Sequence, residues 1–139
     1  MNIDASIAAV KKLLFADEGV SAALLFGSAA KGTARITSDL DIALAPWAAS
    51  DALALQAEYL DLIARLSLAA GRDVHLVLLD NVEPVLGWQV FLGGRALFDR
   101  DSHRSASILE RITLEYFDGE YHRRMRAEAL NQRVARQHG

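Results

Sequence analysis

Apolar residues fall at three- and four-residue spacing through Ile7, Val10, Leu13 and Leu14, which predicts an amphipathic helix over residues 3–17. Asp17-Glu18-Gly19 closes it. Val20 to Phe26 is a short apolar run of the kind that forms a buried strand. Residues 27–38 are small, polar and glycine-bearing, which predicts a loop or a short helical turn. Residues 39–45 alternate polar and apolar positions and predict a second strand, ended by Pro46. Ser50 is placed to cap a helix over 51–70 whose core face carries Leu55, Tyr59, Leu62, Ile63 and Leu66, with Gly71 as its stop. Residues 73–79 form a third strand, 82–92 a helix, and Arg95 to Phe98 a short edge strand after the Gly93-Gly94 turn. Ser102 then caps a long C-terminal helical stretch, with Gly119 its expected break.

This order predicts one α/β (α+β) domain over residues 1–139, a small sheet covered by helices, with a core over 1–101 and a helical extension over 102–136. At 139 residues the chain is too short for two domains of ordinary size. Its 52% hydrophobic and 24% charged residues exclude wholesale disorder. Its longest uncharged run, Gly19 to Ala30, is too short for a membrane span, and the N-terminus lacks the charge order of a secretory signal. With no cysteine there is neither a disulfide scaffold nor a thiolate nucleophile. The expected location is the cytoplasm. Residues 1–102 carry eight Lys/Arg against thirteen Asp/Glu, and this acidic body argues against stable binding of duplex nucleic acid.

The chemistry concentrates between Phe26 and Leu44. Asp39 and Asp41 project from one face of their strand, roughly 7 Å apart, while Leu40, Ile42 and Leu44 occupy the other. Aspartate is a poor strand former, and two carboxylates this close repel unless a cation lies between them. Oxygen donors at this spacing suit Mg²⁺ or Mn²⁺, which take one or two carboxylates together with substrate phosphates. Ten residues earlier, Gly27-Ser28 follows directly on an apolar strand and offers backbone N–H groups and a hydroxyl suited to phosphate. Lys31, Arg35 and Ser38 lie in the same segment. Either half alone is an ordinary turn or an acidic edge; together they arise by chance in roughly one chain of this length in several hundred.

Asp73, at the start of the next apolar strand, is the candidate third acid, to ligate a metal and accept a hydroxyl proton; Asp80 lies at the far end. His75 shares a face with Asp73, but a lone strand histidine is more often a hydrogen-bonded core residue, and it is not placed in the site.

The block Gly27-Ser28 through Asp39-Leu40-Asp41, followed by Asp73, resembles the catalytic signature of the DNA polymerase β-like nucleotidyltransferases. The short length and the segment Gly94 to Asp101 are similar to the minimal nucleotidyltransferases of the MntA antitoxin type. The resemblance implies a mixed sheet flanked by helices, with two Mg²⁺ ions on Asp39, Asp41 and Asp73 and the triphosphate of ATP on Gly27 and Ser28. It also implies a partner: a HEPN-type (HepT-like) toxin, inactivated by transfer of AMP to a tyrosine hydroxyl, as in a type VII toxin–antitoxin pair. Many members carry arginine after the Gly-Ser pair; here it is Ala29, which leaves charge compensation to Lys31 and Arg35. About 40 residues follow the last expected strand, too few for a separate acceptor domain, so the acceptor is expected to be a docking protein. Ile108, Ile112, Tyr116 and Phe117 are candidates for the docking face, or for packing on the chain's own sheet. Neutralisation of a toxin by occlusion and transfer to an aminoglycoside-type small molecule are the competing functional readings.

Overall fold

The computed structural model describes residues 1–33 and 38–138. Helix α1 (Ile3–Phe15) is followed by β1 (Val20–Phe26), a single turn α2 (Gly27–Ala30) and β2 (Leu40–Pro46). Then come α3 (Ala49–Ala57), α4 (Tyr59–Ala70), β3 (Val74–Leu78), a 3₁₀ turn (Leu79–Asn81), α5 (Pro84–Gly93), β4 (Arg95–Asp99) and α6 (Ser102–His138). The sheet order is β3-β2-β1-β4; β1 runs antiparallel to both β2 and β4, and β2 runs parallel to β3. The expected mixed sheet flanked by helices is what forms.

Alternation along the strands divides the core into two layers. Leu25, Leu40, Ile42, Leu44, Val74 and Leu76 lie on one face, packed with Val10 and Leu14 of α1 and Leu62 and Leu66 of α4. The opposite face carries Ala22, Ala43 and Ala45, with Leu24, Phe26 and Val77 at its margins, and packs with Val90 of α5 and Ile108 and Ile112 of α6. Small alanines on the central strands let these helices approach closely. Of the four candidate docking residues, Ile108 and Ile112 are therefore core, and Tyr116 stacks on Trp88 with ring centroids 5.0 Å apart. Phe117 alone is 54% exposed.

Local chemistry sets the element ends. The Asn2 side chain accepts from Ala5 N at 2.7 Å and caps α1, a contact that contributes about 1 kcal/mol. Gly71, at φ +66°, ends α4 in the left-handed region. α1 ends at Phe15 and β2 runs Leu40–Pro46, with Asp39 just before it, and three further features differ from expectation. The helix over 51–70 is two helices broken at Glu58, because Tyr59 donates its hydroxyl to Leu76 O at 2.6 Å and fixes the start of α4 on β3. Ser50 lies inside α3; Asp51 holds the start by accepting from Ala48 N at 3.1 Å. At α6 the cap is Asp101, whose Oδ1 accepts from His103 N and Arg104 N, and the helix continues through Gly119 without a break. Among the described residues no helix is long and apolar enough to cross a membrane.

Candidate active site

The two aspartates of the motif stand at one end of the sheet, on the layer that continues the Ala43–Ala45 row. β2 is a central strand, with Leu40, Ile42 and Leu44 fully buried on its other side. That burial fixes the register, because a one-residue slip would turn both carboxylates into the core. Asp41 pairs with Phe26 of β1 on one side and with His75 of β3 on the other. Its side chain is 27% exposed and that of Asp39 is 43% exposed, so both open to solvent from a rigid floor.

Gly27 follows Phe26 with φ +69°, a conformation that favours glycine. A Cβ at this position would collide with the Asp41 carboxylate. The glycine therefore lets the chain turn out of β1 and leaves the volume that Asp41 occupies. Ser28 and Ala29 form the α2 turn with Ala30. The Ser28 carbonyl accepts from Thr33 N at 3.0 Å and from the Thr33 hydroxyl at 3.3 Å, which folds the following segment back on the turn. The Ala29 side chain is buried in the first core layer, so this position faces inward rather than toward the acids. Lys31 is exposed and, with Phe26, Gly27, Gln89, Leu92 and Gly93, lines a cavity of about 600 Å³ beside the turn.

The approach to Asp39 is anchored by Arg72. Its guanidinium donates to Ser38 O (3.1 Å), the Ser6 hydroxyl (3.0 Å) and Met1 O (2.9 Å), which ties the residue before Asp39 to α1. The Ser6 hydroxyl in turn donates to Ala70 O at 2.5 Å in a fully buried position. Arg35 lies outside the described residues.

Asp73 precedes β3 at the same end of the sheet. Its carbonyl accepts from Leu40 N at 3.0 Å, and its side chain is exposed. Among the described residues the Asp73 carboxylate makes no hydrogen bond or ion pair. The residue that does touch the pair is His75. Its Nε2 lies 3.3 Å from Asp39 Oδ2 and its Nδ1 lies 3.3 Å from Asp41 Oδ1. On sequence alone this histidine reads as a core residue; what brings it to the site is its cross-strand pairing with Asp41, which needs the sheet register. Asp80 lies in the 3₁₀ turn beyond the far end of β3, lining a different cavity with Arg104 and Arg111.

The donor set fits an oxygen-seeking divalent cation. Two half-exposed carboxylates stand at neighbouring positions, and hard cations such as Mg²⁺ are commonly held by one or two carboxylates plus substrate phosphates. Among the described residues no three His, Asp or Glu side chains enclose an ion by themselves, so substrate oxygens would complete such a site.

Solved structures share this architecture. A chain of a toxin–antitoxin complex with AMP-PNP is 26% identical, with a TM-score of 0.64 over 92% of this chain and 97% of that one. A chain of the MntA–HepT toxin–antitoxin is 23% identical, with a TM-score of 0.67 over 90% of this chain and 96% of that one. A chain of the tri-AMPylated Shewanella oneidensis HEPN toxin in complex with MNT antitoxin is 20% identical, with a TM-score of 0.64 over 89% and 98%. No curated protein matches the sequence. The model of the family described as polymerase beta, nucleotidyltransferase, matches residues 9–103, and with a carboxylate pair at the end of a mixed sheet and Asp41 seated against a glycine turn, the chain belongs to that family.

Proposed function

We propose that this protein transfers AMP from ATP to a hydroxyl, that of a tyrosine, on a HEPN-type toxin and so acts as the antitoxin of the pair. The observation that carries the reading is the Asp39-x-Asp41 pair, with Asp41 held against the Gly27 turn, beside a cavity that Lys31 lines. Family membership supplies the reaction class. The similar toxin–antitoxin chains, one crystallised with an ATP analogue and one with an AMPylated toxin, support the donor and the acceptor.

In the reaction the acceptor oxygen attacks the α-phosphorus of ATP. The bond from that phosphorus to the α–β bridging oxygen breaks, and pyrophosphate leaves with the electron pair. Asp39 and Asp41 would hold Mg²⁺, which when bound would offset the charge of the phosphates and orient them. The Gly27 turn gives the phosphates close access to backbone, and the Ser28 hydroxyl donates to a phosphate oxygen. Lys31 adds positive charge on the cavity side, with Arg35 and Ser38 on the segment leading to Asp39. Asp73, exposed at the same sheet end, accepts the proton released by the acceptor hydroxyl.

Incubation with α-labelled ATP, Mg²⁺ and the co-encoded toxin tests this reading. Label should pass to the toxin with wild type and fail with Asp39→Asn/Asp41→Asn. Equal labelling by the double variant, or none by wild type, overturns it.

A further inference from the structure

The parallel pairing of β2 and β3 places His75 directly beside Asp41, and its ring lies along both carboxylates, 3.3 Å from each. It is not a core histidine: the ring is 63% exposed, while its strand neighbours Val74 and Leu76 are buried on the opposite face. On this strand the nearest acid, Asp73, stands before β3 and leaves the pair untouched. The strand thus brings a nitrogen donor, and not a third oxygen, against the two carboxylates.

That exchange has a chemical consequence. Mg²⁺ prefers oxygen ligands throughout, whereas imidazole suits first-row transition ions. We infer that His75 is the third donor of the cation site formed by Asp39 and Asp41 and tilts its preference from Mg²⁺ toward ions such as Mn²⁺. The inference rests on the reading above that these two aspartates hold a cation. As placed, one ring nitrogen faces each carboxylate, which is why the three side chains do not enclose a single point. Holding an ion that both carboxylates share would require the ring to turn one nitrogen toward it.

The test uses the untagged full chain with Mn²⁺ as the probe. Pulsed electron paramagnetic resonance should show ¹⁴N echo modulation from a coordinated imidazole in wild type and none in His75→Asp. Titration calorimetry should show the ratio of Mn²⁺ to Mg²⁺ affinity falling about tenfold in His75→Asp, the scale on which changes around a metal site act. Circular dichroism checks the fold, and His75→Gln replaces the Asp variant in the echo measurement if that variant is unfolded. Mn²⁺ binding that depends on Asp39 and Asp41 but shows no ¹⁴N modulation, or an affinity ratio unchanged within about twofold, overturns the role of His75 and leaves the carboxylate site standing. If Asp39→Asn/Asp41→Asn binds Mn²⁺ as tightly as wild type, the ion lies elsewhere. The functional reading then falls as well.

Discussion

The Asp41 carboxylate rests against the Cα of Gly27, in the volume a β-carbon at residue 27 would fill. One contact thus joins the end of β1 to the acid pair on β2 and makes the turn and the carboxylates a single unit. Gly27→Ala combines two effects: the left-handed backbone is penalised by about 1–2 kcal/mol, and the new methyl displaces the carboxylate. AMP transfer should fall about a hundredfold, the scale of a 1 Å misplacement. Gly32→Ala separates the effects, because Gly32 also has positive φ (+72°) but, among the described residues, nothing within 4 Å of where a Cβ would lie. It should lose similar stability in urea unfolding while turnover stays within about threefold of wild type, well short of the loss a displaced catalytic group brings. Equal activity losses in the two variants would remove the role given to the contact.

Arg72 supports the other side of the pair through its bonds to Ser38 O, Ser6 and Met1 O. A charged donor of this kind contributes about 1.5–3 kcal/mol per bond it cannot replace. Arg72→Lys keeps the charge but not the planar fork and cannot reach three acceptors in different directions. Both Arg72→Lys and Arg72→Ala should lower kcat for AMP transfer more than they raise KM for ATP. A pure KM effect would show that Arg72 acts on nucleotide binding and not on the placement of Asp39.

How much of this was legible in sequence depends on the range of the interaction. The Gly27-Ser28 and Asp39-x-Asp41 halves stand out because strand alternation alone puts Asp39 and Asp41 on one face and leucines on the other. β1 matched its expected limits because Val20 to Phe26 is apolar but for the small Ser21 and is bounded by Gly19 and Gly27. His75 was invisible because its partners come from a strand 34 residues earlier, through a parallel register that no local pattern encodes. The break at Glu58 was hidden for the same reason, since it follows from the Tyr59 bond to β3. Ser50 and Ser102 looked like caps, but neighbouring aspartates, Asp51 and Asp101, accept the backbone N–H groups instead.

The α5–α6 contact gives a prediction about packing alone. A Cβ on Gly87 would lie 2.9 Å from Val82 Cγ1 and 3.0 Å from Ile112 Cγ2. Both neighbours are packed and Ile112 is fully buried, so they have little room to yield. Gly87→Ala should destabilise the protein by about 1–3 kcal/mol through overpacking. Calorimetric unfolding measures this, and AMP transfer per folded molecule should be unaffected.

Gly119 presents the opposite case. It lies inside α6, its φ is not positive, and among the described residues a Cβ there would meet only Arg123 Nη1, the far end of a flexible side chain, at 3.5 Å. Nothing in the packing requires glycine, while its backbone entropy weakens the helix relative to alanine by about 0.5–1 kcal/mol. Gly119→Ala should therefore raise stability by about that amount. The denaturation midpoint should shift upward with an unchanged denaturant slope. The body of the protein ends its burial on α6 at Ile112, and from Tyr121 to Gln137 every residue is exposed. A rise in helical circular dichroism with no shift in the global midpoint would therefore show that α6 beyond Gly119 melts separately from the sheet. A shift of both would show that one cooperative unit extends along the helix.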